Sequence, residues 1–252
     1  MFEFWKLALL FVTGLAAGFV DAIAGGGGLI TLPVMLSIGL SPEQALGTNK
    51  LQATFGSGSA AWHYAKAGTV PINDCARGFL LSLIGAALGT LVVQQIDPTV
   101  LRRAIPVLLI AVALYILLKP RLGAEDLHPR MTRGSFDLTF GLVLGFYDGF
   151  LGPGTGTFWT VAFMLGLGFN MTKATGYTKV MNLASNVSSL TIFFLAGSVS
   201  LVPGLTMGIG QLIGAKLGSG MVITRGTKFV RPIFITVVLA ITLKLLWDAY
   251  KA

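Results

Sequence analysis

The chain carries one long pattern twice. Gly14, Leu15, Gly18, Phe19, Asp21, Gly25 and Gly27 recur 127 residues later as Gly141, Leu142, Gly145, Phe146, Asp148, Gly152 and Gly154. Ala45, Gly47, Lys50, Ala67 and Gly68 recur 129 residues later as Ala174, Gly176, Lys179, Ala196 and Gly197. Gly85, Ala86, Leu88 and Gly89 keep that spacing to Gly214, Ala215, Leu217 and Gly218. Ordered matches with so little drift mark a duplicated unit, and duplication of this kind is common in secondary transporters. The division expected is a first transmembrane repeat at 1–118, a linker at 119–134 and a second repeat at 135–252.

The solvent of this unit is lipid. Of 252 residues, 54% are hydrophobic and only 11% are charged, against about 25% charged in ordinary soluble domains. The net charge of +8 comes from Lys and Arg scattered between apolar stretches, which suits membrane orientation rather than nucleic acid. A single cysteine, Cys75, excludes an intramolecular disulfide. With His63 and His128 as the sole histidines, a transition-metal site is not expected. Ala22-Ile23-Ala24 resembles a signal-peptide cleavage site, but the same pattern recurs mid-chain, so residues 4–24 read as a retained span.

Each copy contains five apolar segments, about 4–24, 28–40, 45–67, 77–95 and 101–118, then 135–152, 156–169, 174–197, 204–222 and 229–250. Most reach the roughly 17–25 residues a spanning helix needs. The second segment of each copy is short and follows a glycine-rich break, so it reads as a tilted span or a re-entrant half-helix. If all segments cross and the central loop is cytoplasmic, most Lys and Arg gather on the cytoplasmic side. Re-entry would divide them almost equally. The positive-inside rule thus favours five crossings per copy, which gives the two copies opposite orientations. The expected fold is an all-α membrane protein: a polytopic helical bundle of two inverted repeats, about five apolar helical segments each, with glycine-rich helix breaks.

Two constellations carry the candidate chemistry. Asp21 precedes Gly25-Gly26-Gly27-Gly28, and Asp148 precedes Gly152-Pro153-Gly154-Thr155-Gly156. Glycine costs about 1 kcal/mol relative to alanine in a helix and Pro153 lacks a donor, so both runs break the helix. Irregular backbone at membrane depth survives only inside protein or beside a watery cavity. A helix restarting near Leu29 or Thr157 aims its positive N-terminal end into such a cavity. Gly26, Gly27, Gly154 and Thr155 are therefore candidate binding residues. Asp21 and Asp148 either cap the broken helices or pair with Lys50 and Lys179, or else couple transport to protons or another ion. Isolated glycines such as Gly14, Gly85 and Gly214 suit close helix packing.

The second constellation opens the third segment of each copy, Thr48-Asn49-Lys50-Leu51-Gln52 and Thr178-Lys179-Val180-Met181-Asn182. On a helix, Lys179, Asn182 and Asn186 form one polar stripe. Lys50 and Lys179, with Asn49, Gln52, Asn182 and Asn186, can bind an oxyanion; alternatively the lysines snorkel to an interface and the amides join helices. Trp62 and His63 read as interfacial or packed, Lys216 as a candidate counter-ion for a carboxylate, and Arg102, Arg103 and Arg231 as anchors of helix ends. Glu125 and Asp126 belong to a solvated loop. No enzyme constellation is present, and the tetraglycine run lacks the Gly-Lys-Ser/Thr that completes a phosphate-binding loop.

The stretches Ala17-Gly18-Phe19-Val20-Asp21-Ala22-Ile23-Ala24-Gly25-Gly26-Gly27-Gly28, Thr48-Asn49-Lys50-Leu51-Gln52 and Gly145-Phe146-Tyr147-Asp148-Gly149-Phe150 resemble the TauE/SafE family of sulfite exporters and toluene-sulfonate uptake permeases, most of all its YfcA-type branch. The resemblance covers nearly the whole chain. It implies an inner-membrane transporter of sulfite, sulfonates or other small sulfur-containing anions. The alternative, apart from the resemblance, is a passive anion channel or pore of unrelated substrate class. The expected partners are a small anionic substrate, membrane lipid and a coupling proton or other ion, with a homo-oligomer left open. No cofactor, metal or nucleic acid is implied.

Overall fold

The computed structural model describes residues 4–97, 99, 100, 107 and 128–251. The expected segment at 101–118, with Arg102 and Arg103, lies outside the described residues. So does the linker through residue 127, with Glu125 and Asp126, as do the side chains of Arg231, Lys244 and Lys251. Among the described residues every regular element is helical. The first repeat contributes α1 (Phe4–Ala24), α2 (Gly27–Ser37), α3 (Pro42–Lys66), a short 3-10 turn (Ile72–Cys75) and α4 (Ala76–Val93). The second contributes α5 (Arg133–Phe150), α6 (Thr155–Leu167), α7 (Met171–Leu195) and α8 (Leu201–Lys251). The expected segments 204–222 and 229–250 lie in two helices that meet at Gly226 without a loop and are numbered together as α8; the φ of 64° and ψ of −165° at Gly226 leave the helical region.

Local chemistry explains the helix starts. Ser41 caps α3 in a reciprocal box with Gln44, and Pro42 follows at the first helical position, where its missing N–H costs nothing. Asn170 caps α7 through the Lys173 N–H, 3.0 Å away. The starts of α2 and α6 differ. Gly26 (φ 90°) and Gly154 (φ 80°) stand at the caps in left-handed conformation and offer no side-chain acceptor, a backbone state that favours glycine. α2 and α6 have 11 and 13 residues, about 16 and 20 Å of helix, against a hydrocarbon core of about 30 Å.

The repeats interlock. α1 packs along the first half of α8, and α4 along α5, so the first helix of each repeat lies on the fourth helix of the other. Glycine makes both contacts close. Gly14 and Gly18 lie against the backbone of Met207 and Gln211, while Gly210, Gly214 and Gly218 receive Phe11, Leu15 and Phe19. In the matching interface Gly141, Gly145 and Gly149 lie against Leu81, Ser82 and Ala86, and Gly85 and Gly89 against Leu142 and Phe146. Such small-residue seams replace the hydrophobic drive that lipid removes.

α3 and α7 cross in the centre and run antiparallel. Gly47, early in α3, lies against Ser198 and Phe193 beyond and at the end of α7, whereas Gly176, early in α7, lies against Tyr64 and Val70 at and beyond the end of α3. Thr48 accepts a hydrogen bond from the Ser200 N–H (2.9 Å), and its repeat mate Tyr177 donates to Asp74 (3.4 Å). Outward faces are apolar: Leu80, Ile84, Leu88 and Leu91 of α4, and Leu201, Leu205, Ile209 and Leu217 of α8, are exposed. Phe4–Ala24 and Ile72–Val93 are long and apolar enough to cross a membrane.

The glycine seams make a direct prediction. A Cβ at Gly149 falls on the Ala86 carbonyl, whereas one at Gly220 meets nothing within 4 Å. Gly149→Ala is expected to lower the thermal unfolding temperature in detergent, and Gly220→Ala to leave it unchanged or raise it slightly, because alanine favours helix by about 1 kcal/mol. Equal effects of the two changes would show that the seams are not tight.

Candidate functional site

The two glycine-rich breaks meet at the centre of the molecule. Gly25 lies against the backbone of Gly156 and Thr157, and the Thr157 hydroxyl donates to the Ala24 carbonyl at 3.0 Å. Consequently the N-terminal ends of α2 and α6 open at one place, one from each repeat. The first N–H groups of a helix have no partner within it. Here some are satisfied locally, Gly27 by Asp21 at 3.1 Å, Thr155 by the Gly152 carbonyl and Thr157 by that of Gly154.

Both expected lysines are buried beside this junction, and both pair with aspartates of the opposite repeat. Lys50 Nζ lies 2.6 Å from Asp148 Oδ1 and also donates to the Asp148 main-chain carbonyl. The Ser185 hydroxyl donates to the other oxygen, Oδ2. Lys179 Nζ lies 2.9 Å from Asp21 Oδ2. The lysines rank among the largest fully buried side chains, so neither snorkels. The aspartates do not choose between capping and pairing. Asp21 does both, capping α2 with one oxygen and holding Lys179 with the other. Each carboxylate is thereby neutralised, the arrangement that a low-dielectric interior requires.

A cavity of about 40 Å³ lies between the breaks, bounded by Asp21, Gly26, Gly27, Gly28, Asn49, Ala53, Asp148, Gly152, Gly154, Thr155, Gly156, Asn182, Asn186 and Gln211. That volume admits a few waters. Of the residues singled out from sequence, Asp21, Asp148, Asn49, Asn182, Asn186, Gly26, Gly27, Gly154 and Thr155 line it. Lys50, Lys179 and Gln52 do not. Gln52 stands behind the wall: its amide donates to Asn49 Oδ1 at 2.7 Å, and Thr31 donates to the same oxygen at 2.6 Å. With its oxygen occupied, Asn49 turns its amide nitrogen toward Gly28. Asn186 donates to Ser57 across the repeats at 3.4 Å. Asn182 is buried, and its Oδ1 has no partner among the described residues. Neutral carboxamides and two helix N-termini around paired charges form a site suited to a small anion.

Other expected residues lie elsewhere. Trp62 is exposed, and His63 bonds the Ser59 carbonyl of its own helix at 2.7 Å. Lys216 points outward from α8, so it is not the counter-ion of either carboxylate; Lys50 and Lys179 hold those places. Sequence reasoning missed Ser185 and Gln211. Gln211 carried a signal, an amide between Gly210 and Gly214 in an apolar span. Ser185 carried none, because its partner is 37 residues away. Among the described residues no group of three or more His, Cys, Asp or Glu could hold a metal.

The profile of the family described as "Sulfite exporter TauE/SafE" matches residues 10–245. "Probable membrane transporter protein ORF9" of Sinorhizobium sp is 46% identical over 245 residues, 97% of this chain and 94% of that protein. "Probable membrane transporter protein YfcA" of Escherichia coli K12 is 42% identical over 97% of this chain and 91% of its own length. A "Probable membrane transporter protein" of Haemophilus influenzae is 43% identical over 96% and 95%. These names describe membrane transporters rather than enzymes. No solved structure matches the chain at a significant level. On a family match and full-length relatives of this similarity, the chain belongs to the sulfite exporter TauE/SafE family of membrane proteins.

Proposed function

We propose that the chain is a secondary transporter that moves a small sulfur-containing anion, of the sulfite or sulfonate class, across the inner membrane by alternating access. The observation that carries the reading is the meeting of two helix N-termini, one per repeat, at a polar cavity whose carboxylates are already neutralised by lysines. An unpaired carboxylate would repel an anion; here the positive ends of α2 and α6 are left as the dominant field. Asn49, Asn182 and Asn186 supply directional donors, and Lys50 and Lys179 set the local positive charge from behind the wall. Asp21 and Asp148 are the titratable groups available for coupling to protons or another ion. The sulfur class comes from the family's description, and the chemistry of the cavity is compatible with it.

The same reading makes the repeats inverted, with the central loop cytoplasmic. α3 and α7 are equivalent helices that run antiparallel through the centre, as an inverted pair does. Each short helix with its glycine break then completes one crossing, its irregular part buried in protein. Exchange of conformations between two such repeats opens a central site to either side in turn.

Three tests follow. Purified protein is expected to gain thermal stability with sulfite or a sulfonate in millimolar titration, since a ligand of the folded state stabilises it by RT ln(1 + [L]/Kd). A response to carboxylates or cations instead would remove the sulfur assignment. Asn182→Ala is expected to raise the half-saturating anion concentration about tenfold, one charged hydrogen bond, with saturable exchange in liposomes; unitary conductance would identify a channel. In a Cys75→Ala background, cysteines placed at the exposed repeat mates Ala67 and Ala196 should label from opposite faces of the membrane. Labelling from the same face would overturn the inversion.

A further inference from the structure

Duplication predicts two equal ion pairs, and the structure holds two unequal ones. Asp148 is held at both oxygens, by Lys50 and Ser185, and Lys50 is held twice, by the side chain and the main chain of Asp148. The Asp148 side chain is 6% exposed. Asp21 is also held at both oxygens, by Lys179 and by the Gly27 N–H, but Lys179 binds it through a single side-chain contact and the Asp21 side chain is 20% exposed beside the cavity. Two differences between the repeats explain this. Ser185 matches Gly56, so the first repeat has no hydroxyl at that place, and Gln211 Oε1 reaches the open side of Gly56 instead. Asn182 matches Ala53, so the buried carboxamide one turn from Lys179 has no counterpart beside Lys50.

Lys179, Asn182 and Asn186 share one face of α7. Asn182 and Asn186 line the cavity and Lys179 does not; the Asp21 carboxylate, which does, holds its ammonium. The unpartnered Asn182 Oδ1 is buried beside that ammonium: a Cβ on Gly156 would sit 3.1 Å from Asn182 Nδ2 and 3.4 Å from Lys179 Nζ. The stripe is thus an anion site with one of its positions already taken by an internal carboxylate.

We propose that Asp21 is a displaceable occupant of the anion site: the transported anion replaces it on Lys179, while the Asp148–Lys50 pair stays closed as the fixed half of the centre. The proposal rests on the anion-transport reading. The charges balance. Before exchange the Lys179 ammonium faces the Asp21 carboxylate. Afterwards it faces a monoanion, and the Asp21 carboxylate has taken a proton from a hydronium ion that enters with the anion. One O–H bond of the hydronium breaks and one forms on the carboxyl group, water is left behind, and the site is neutral in both states. A bilayer interior penalises any net charge, so one proton accompanies each monoanion. Asp21 is faced by Lys179 from α7, by the Gly27 N–H from α2, and by Tyr64 from α3, whose hydroxyl donates to the Ala22 carbonyl at 3.0 Å. α2 and α6 carry no titratable side chain. On the described part of α8 the charged side chains, Lys216 and Arg225, are exposed.

The test compares Asp21→Asn with Asp148→Asn in the full chain, by thermal unfolding titrated with sulfite, phosphate and acetate. Asp21→Asn, which leaves Lys179 without its carboxylate, should unfold earlier than the parent. Sulfite should restore it at about one-tenth of the concentration that the parent needs to respond. Expressed per hydrogensulfite monoanion, which itself loses a proton in this range, the affinity of Asp21→Asn should not change between pH 6 and 8, whereas that of the parent should tighten toward acid, by up to about tenfold per pH unit, because binding takes up a proton. Asp148→Asn should lose stability that no anion restores. Equal restoration of both variants, or a parent-like pH dependence in Asp21→Asn, overturns the exchange. If Asp21→Asn does not fold, Asp21→Asn/Lys179→Gln removes both charges and should fold without an anion response; a parent-like response overturns the proposal. If phosphate or acetate restores Asp21→Asn and sulfite does not, the exchange stands and the sulfur assignment falls. If sulfite shifts the parent and both single variants alike, the sulfur assignment stands and the exchange falls. If none of the three anions shifts any form, both fall.

Discussion

Two buried ammonium groups, each facing a carboxylate from the other half of the chain, impose the arrangement of everything around them. A charge held near the middle of a bilayer is tolerated only with a partner at hydrogen-bond distance. Lys50 finds Asp148 and Lys179 finds Asp21, so neither repeat can bury its own lysine without the other. The crossing of the pairs brings the third helices together antiparallel at the centre. It also brings the ends of α1 and α5 into contact with them, and with those ends the two glycine breaks. The cavity between the breaks is a consequence of this crossing rather than an independent feature.

Glycine serves two physical ends in this chain, and they are separable by conformation. In the seams of α1, α4, α5 and the part of α8 before Gly226 the glycines are helical and bring backbones together, as Gly149 does against Ala86. At Gly26 and Gly154 the backbone is left-handed and the helix begins anew. The first use holds the repeats to one another where lipid offers no hydrophobic drive. The second starts α2 and α6 from cap residues that bring no side-chain acceptor of their own, Asp21 answering one N–H of α2, with the field of both helix ends directed into the cavity. A seam of close backbone contacts around a centre of neutralised charges gives a scaffold that is rigid at its interfaces and polar inside.

Much of the centre was legible in the chain itself. The stripe of Lys179, Asn182 and Asn186 follows from helical spacing, and the breaks from the composition of 25–28 and 152–156. Helix bounds agree closely, α7 at Met171–Leu195 against an expected 174–197. The partner of each lysine was not legible, because Lys50 and Asp148 are 98 residues apart and spacing rules act only within a turn or two. For the same reason the lysines were expected in the cavity wall, where their aspartates stand instead. The direct joint between the last two helices at Gly226 was not legible either, since an isolated glycine reads equally as a bend or a loop.

What the sequence alone determined is what local physics decides: lipid as the solvent, one residue pattern carried twice along the chain, where helices start and break, and which faces are polar. Periodicity, capping and hydropathy act over a few residues and need no knowledge of the partner. Only the tertiary structure decided which charges meet, that the carboxylates stand between the lysines and the cavity, and that the two pairs are unequal. Those outcomes depend on contacts between residues far apart in the chain. Ser185 against Gly56, and Asn182 against Ala53, acquire meaning only once the opposite repeat is in place.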